Sequence, residues 1–212
     1  MSTTNIIIAG TGGQGIVLAS RIIAHVASES GLDVKESEIH GMAQRGGSVI
    51  GHIRFGKKVY SPAIPTGKAE ILVALEEMEA IRYLCFLKPS GTIILNRKKI
   101  TPAMSEDKDY PENIEKFLIE KGYQVISLDA EKIAKELGNV KTANSVVLGF
   151  LSTLLKFKED KWLEVIRDSV PSKTVDLNIK AFQEGRRLAK ENEILGQRSR
   201  NFTTKKVKRT SA

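Results

Sequence analysis

The stretch "NIIIAGTGGQGIVLAS", residues 5–20, decides how the rest of the chain is read. Ile6, Ile7, Ile8 and Ala9 run apolar without alternation, the pattern of a strand buried on both faces. Gly10, Gly12 and Gly15 follow in the spacing G-x-G-x-x-G, with Gly13 extra and Gln14 inside the turn. Apolar residues then recur at Ile16, Ala19, Ile22, Ile23, Val26 and Ala27, a helical spacing that Gly31 closes. Strand, glycine turn and helix in that order bring the unpaired N–H groups of a helix start beside a backbone that a phosphate can approach. The residues leave two readings open: a phosphate- or nucleotide-like ligand site, or a tight strand–helix turn. A dinucleotide site also needs an acid near the end of the second strand, and Glu36 and Glu38 are available for it.

Outward from this stretch the chain alternates strand and helix. "LDVKESEI" (32–39) is a second strand, and "HGMAQRGGS" (40–48) is a polar loop. "VIGHIRF" (49–55) alternates as a half-buried strand, and "GKK" turning into "VYSP" suggests a hairpin over 49–61. "EILVALE" (70–76) is a buried strand. A helix through "EMEAIRYLCFL" is expected to stop near Pro89 and Gly91, before the strand "GTIILN" (91–96). Helix, strand and helix follow, and the pattern is helical from Asn144 to about Asn192. The expected architecture is α/β: a single three-layer domain with a mixed, mostly parallel sheet, helices on both faces and a helical C-terminal part. The domain is expected over residues 1–192, with 193–212 a basic, disordered tail.

The bulk numbers agree with a globular domain. In 212 residues, 41% are hydrophobic and 27% charged. The net charge of +8 is concentrated at one end: residues 194–212 hold six basic residues and no acid, leaving +2 elsewhere (8 − 6). That is a tail, not a nucleic-acid face, so no specific nucleic acid is expected. No apolar run is long enough to span a bilayer. "MSTTNIIIAG" reads as a first strand and not as an export signal, which sets a cytoplasmic expectation. The single cysteine, Cys85, cannot ligate an ordinary iron–sulfur cluster and is expected at a core position on a helix.

In a parallel sheet, ligands collect beyond the carboxyl ends of the strands. That edge carries the 10–15 loop, the start of the 40–48 loop, Glu76 and Asn96. Glu76 and Asn96 suit either ligand orientation or capping of the next element. In the second loop Arg45 offers a planar fork for phosphate or carboxylate, and His40 a group that transfers a proton near neutral pH. Met42 offers an adaptable apolar contact, and Gly46 and Gly47 a backbone that passes close to another surface. His40 and Arg45 are the catalytic candidates. His25 belongs to the polar face of the first helix, and His52 is not read as a ligand. The three histidines show no metal spacing, so no metal is expected.

"GTGGQGIVLASRIIAHVA", "SEIHGMAQRGGSVIGHIRFG", "VYSPAIPTGKAEILVALEEMEAIRYL", "LKPSGTIILN" and "NSVVLGFL" occur in the order of one family. Over roughly residues 4–190 the chain resembles the β subunit of indolepyruvate:ferredoxin oxidoreductases, the γ-type domain of the 2-oxoacid:ferredoxin oxidoreductases. The resemblance implies a large α subunit that carries thiamine diphosphate, magnesium and iron–sulfur clusters, none of them held by this chain alone. It implies a heterotetramer that decarboxylates an aryl 2-oxoacid oxidatively, with coenzyme A as co-substrate and ferredoxin as acceptor. Gly10, Gly12, Gly13, Gln14 and Gly15 match the family's glycine loop. His40, Met42, Gln44, Arg45, Gly46 and Gly47 match its second motif. The two loops are expected to face the partner's cofactor pocket and to help bind coenzyme A or the oxoacid. Two other readings stand beside this one: an independent NAD-dependent dehydrogenase, and a noncatalytic assembly module.

Overall fold

β1 (Thr4–Thr11) is the central strand, and its isoleucines explain why. Ile6 and Ile8 pack into a core on one face of the sheet, and Ile7 and Ala9 into a separate core on the other. The computed structural model describes residues 3–41, 47–101 and 110–207, with side chains described as far as residue 191. Met42, Gln44, Arg45 and Gly46 therefore lie outside the described residues.

After β1 come α1 (Ile16–Glu29), β2 (Asp33–His40), β3 (Ser48–Gly56), β4 (Ala69–Ala74) and α2 (Glu77–Arg82). Then follow β5 (Leu87–Asn96), α3 (Ile114–Glu120), β6 (Gln124–Leu128), α4 (Ala130–Glu136), α5 (Ala143–Leu154), α6 (Glu159–Ser169) and α7 (Val175–Val207). The last helix thus carries helical backbone past residue 192. The sheet order is β2-β3-β1-β4-β5-β6. β3 runs antiparallel to both its neighbours, and the other pairs are parallel. The mixed, mostly parallel sheet is the one expected. α1 and α4–α7 cover one face, and α2 and α3 the other.

The antiparallel element has a different origin from the one read in the sequence. The hairpin is β2–β3, in which Asp33 pairs with Gly56 and His40 with Val49. No strand forms over 57–68. Pro62 and Pro65 lack amide donors. The carbonyls of Ser61 and Ala63 instead accept from the Arg54 guanidinium at 2.8 and 2.9 Å, and Val59 N–H donates to Asp33 Oδ2 at 2.9 Å.

The helix after β4 is also shorter than its periodicity suggests. It ends at Arg82, tightens into a 3-10 turn at Leu84–Phe86, and yields to β5 at Leu87. Cys85 is therefore exposed on that turn and not in a core. β5 begins before Pro89 because a register break absorbs the proline: Ala69 pairs with Leu87 and Ile71 with Thr92, with Ser90 at φ 57° between them.

α5 and α7 cross in close contact. A Cβ on Gly149 would lie 2.0 Å from the Phe182 carbonyl oxygen, and one on Gly185 2.0 Å from that of Val146. Trp162 of α6 stacks on Phe182, ring centroids 5.8 Å apart, and both are fully buried.

Candidate functional site

The chain leaves β1 for α1 on one face of the sheet and leaves β4 for α2 on the other. A crevice opens where neighbouring parallel strands diverge in this way, beyond their carboxyl ends. The glycine loop occupies that point. Gly13 and Gly15 have φ of 94° and 72°, conformations that a side chain disfavours. Gly15 is the N-cap of α1 and offers no side chain to it. The N–H groups of Gly13, Gly15, Ile16 and Val17 have no acceptor among the described residues.

Gln14 ties the loop down. Its Oε1 accepts from the Thr11 N–H at 2.7 Å and its Nε2 donates to the Leu75 carbonyl, beyond β4, at 2.9 Å. Gly10 makes room for it, since a Cβ there would stand 2.6 Å from Gln14 Oε1. Asn144, at the start of α5, donates from Nδ2 to the carbonyls of Gln14 at 2.6 Å and Gly15 at 3.1 Å. With these carbonyls taken by a side chain, the loop is held to the helical layer.

The two loops meet directly. Gly12 N–H donates to the Gly47 carbonyl at 2.8 Å, and Thr11 stands opposite Ser48 in the β1–β3 ladder. Gly41 N–H donates to the Ser48 carbonyl at 2.8 Å and closes the base of the second loop. His40 is the last residue of β2 and is exposed at the same edge. The antiparallel β3 makes this junction, because its first residues return the chain to the edge where β1 ends.

A cleft of about 390 Å³ adjoins the glycine loop, lined among others by Gly13, Gly15, Leu18, Asn96, Lys98 and Asn144. Lys98 is paired with Glu131 at its rim. A larger hollow of about 590 Å³ lies between the start of α2, the end of β5 and α3. It contains no glycine-loop residue, and its Arg97 is already paired with Glu115 at 3.2 Å. The smaller cleft is the better candidate because the free backbone donors are there.

Glu76 and Asn96 reach the edge but turn inward. Glu76 is 1% exposed and caps α2: its Oε2 accepts from Glu79 N–H, and its Oε1 from Ile100 N–H and the Tyr110 hydroxyl. Burial first, then the Glu76 carboxylate, pushes the Tyr110 phenol well above its usual range, so it remains a donor. Asn96 donates to the Leu75 carbonyl at 3.1 Å and accepts from Ala130 N–H at 2.9 Å. Both build the floor under the loops. His25 is half exposed beside Glu29, 3.7 Å away. His52 is a core residue, accepting from Ile64 N–H on Nδ1 at 3.2 Å against the edge of Phe86. Burial lowers its pKa. Asn144 escaped the sequence reading. Its signal is an Asn opening a buried apolar helix, 130 residues from the loop it holds.

The NAD reading loses its acid. β3 separates β2 from β1, so Glu36 and Glu38 are two strand spacings, roughly 10 Å, from the strand that ends in the glycine loop. Desolvation and the Glu38 carboxylate raise the Glu36 pKa, with Arg21 opposing. Among the described residues no cluster of three or more His, Cys, Asp or Glu side chains is arranged to hold a metal ion. No helix among them is long and apolar enough to cross a membrane.

The fold and the joined loops define the class: an α/β domain with a backbone-lined edge at a switch point of its sheet. A family model for pyruvate ferredoxin/flavodoxin oxidoreductase matches residues 5–188. Indolepyruvate oxidoreductase subunit IorB of Thermococcus kodakarensis is 41% identical over 198 residues, covering 90% of this chain and 98% of that protein. The subunit of the same name from Archaeoglobus fulgidus is 43% identical over 187 residues, 85% of this chain and 92% of that protein. Among solved structures, the γ subunit of a keto/oxoacid ferredoxin oxidoreductase from Geobacter sulfurreducens superposes with a TM-score of 0.67 at 25% identity. It covers 88% of this chain and 98% of its own. The 2-oxoglutarate:ferredoxin oxidoreductase of Magnetococcus marinus, solved with 2-oxoglutarate, coenzyme A and succinyl-CoA, shares the fold with a TM-score of 0.71 at 24% identity. This chain covers 32% of that one. The chain belongs to the pyruvate ferredoxin/flavodoxin oxidoreductase family, as a small subunit of a 2-oxoacid:ferredoxin oxidoreductase.

Proposed function

We propose that this chain works with a large α subunit in the oxidative decarboxylation of aryl 2-oxoacids, indolepyruvate among them. The oxoacid loses carbon dioxide, its remaining acyl group passes to the thiol of coenzyme A, and the electron pair released reduces ferredoxin. The names of the relatives support the substrate class. The observation that carries the chain's own part is the junction of its two loops, Gly12 to Gly47 at 2.8 Å, beside the free N–H groups of the α1 start.

Iron–sulfur clusters do not fit this chain, whose one cysteine is exposed on a turn. The clusters and thiamine diphosphate with its magnesium belong to the α subunit, in a heterotetramer that works in the cytoplasm. This chain brings the edge that meets the ligand. The backbone donors of Gly13 and Gly15 suit the phosphates of coenzyme A, and Gln14 and Asn144 hold them in place. Arg45 suits the oxoacid carboxylate or a phosphate, and His40 stands where a proton can be exchanged. Met42, Gln44 and Gly46 complete the second loop, and Glu76 and Asn96 act beneath. Residues 1–192 form the working domain, with the basic segment 193–212 outside it.

The test is co-expression with the large-subunit candidate, followed by arylpyruvate- and coenzyme A-dependent reduction of a ferredoxin substitute. Full activity of the large subunit alone sinks the proposal. Arg45→Ala is expected to leave assembly intact and lower turnover; unchanged turnover instead favours a noncatalytic assembly module.

A further inference from the structure

A part-buried polar cluster between β3 and α2 has no part in the function proposed above. Ser48 opens β3. Its hydroxyl donates to Glu79 Oε2, and the Tyr83 hydroxyl lies 2.7 Å from Ser48 Oγ. Glu79 is 4% exposed, and its second oxygen accepts from Arg82 Nε at 2.9 Å. The donors run in one direction, from Tyr83 to Ser48 to the carboxylate, because an ionised carboxylate only accepts. Glu79 is itself held, its N–H donating to the buried Glu76 at 3.0 Å.

The backbone around Ser48 controls both loops. Its carbonyl closes the second loop on Gly41, and the residue before it gives its carbonyl to Gly12. A hydroxyl bound to a carboxylate fixed in a helix therefore sets the height and rotation of the strand end from which Gly47 departs. Stability alone does not call for such a group. A buried charge is expensive, and well-packed apolar residues of similar volume commonly serve as well or better. Its directional bond to one hydroxyl is what an apolar residue lacks.

We infer that Glu79 is a positioning residue: acting through Ser48, it fixes where the Gly47 carbonyl meets the Gly12 N–H and so shapes the glycine loop. The inference rests on the reading of that edge as the place where ligand is met.

Two measurements test it. On the full chain, hydrogen exchange by NMR reads the Gly12 and Gly41 amides. On the complex with the large subunit, kcat and KM are measured for an arylpyruvate and for coenzyme A. Ser48→Ala is expected to speed Gly12 exchange about tenfold and to raise KM for at least one substrate about tenfold. Ser48→Thr returns the hydroxyl and brings both within about twofold of the parent. Glu79→Gln should follow Ser48→Ala, and Ser48→Ala carries the test if Glu79→Gln does not fold. Unchanged exchange in Ser48→Ala overturns the inference. So does faster exchange with unchanged kinetics, which leaves a merely structural bond. A parent complex without arylpyruvate activity removes the proposed substrate class, while Gly12 exchange still decides whether the Glu79–Ser48 bond sets the junction.

Discussion

Glycines do opposite work in two regions of this molecule. At the crossing of α5 and α7, Gly149 and Gly185 lie where a Cβ would stand 2.0 Å from a carbonyl oxygen of the other helix. Nothing there can yield except the backbone. In the glycine loop, a Cβ on Gly13 would meet no atom within 4 Å. Its φ of 94° disfavours a side chain for reasons of conformation, not of space. The helix pair uses glycine to bring chain against chain. The loop uses it to leave a surface open, and an open backbone surface with free donors is what a ligand or a second subunit requires.

The helix crossing is the more sensitive of the two regions. Gly185→Ala or Gly149→Ala should cost about 3 kcal/mol or more, since the overlap is with backbone and the helices must separate. Chemical denaturation of the chain checks this, and a loss under about 1 kcal/mol would mean that the layers slide freely. Gln14→Ala comes next, at about 2 kcal/mol, because it removes an acceptor for Thr11 N–H and a donor to the Leu75 carbonyl. Its activity in the complex should fall further than its stability. Equal losses would assign Gln14 to the framework and not to the edge.

The framework was the more legible region. Four consecutive apolar residues announce β1 without help from any other part of the chain. The meeting of the loops was legible in outline, because it follows from strand direction alone. What escaped depends on distant partners. The 57–68 segment forms no hairpin because Arg54 takes its carbonyls, and no local pattern reports a guanidinium reaching back. Pro89 ends no helix because a register break in β5 accommodates it. The roles of Asn144 and the Ser48–Glu79 pair appear only once the fold brings distant parts of the chain within hydrogen-bond reach.

His52, in the framework, makes stability respond to pH. Burial holds its folded pKa below the usual histidine value of about 6.5. Above that value both states are neutral and stability is complete. As pH falls through it, the unfolded chain binds a proton that the folded one refuses, so stability declines until the folded pKa is also passed. His52→Asn, whose side-chain oxygen can stand in for Nδ1 toward Ile64 N–H, should remove that slope. Denaturation midpoints measured over pH 5 to 8, roughly the range of histidine titration, would show it. A slope that survives the substitution belongs to another group.

The smallest expected effect on stability is the most informative about function. Gly13→Ala should cost only about 1 kcal/mol, the strain of a side chain at positive φ, since the added methyl meets open space in this chain. If the loop meets a ligand or a subunit in the complex, the same methyl stands in its path. Activity should therefore fall by more than the stability change accounts for, and assembly of the purified subunits should show whether a subunit or a ligand is obstructed. A variant that assembles normally but has a raised KM for coenzyme A places the ligand against the Gly13 backbone. One that no longer assembles gives that surface to the large subunit. A variant with unaltered assembly and kinetics would mean that the openness around Gly13 faces only solvent, and the contrast with the helical glycines would then be one of turn geometry alone.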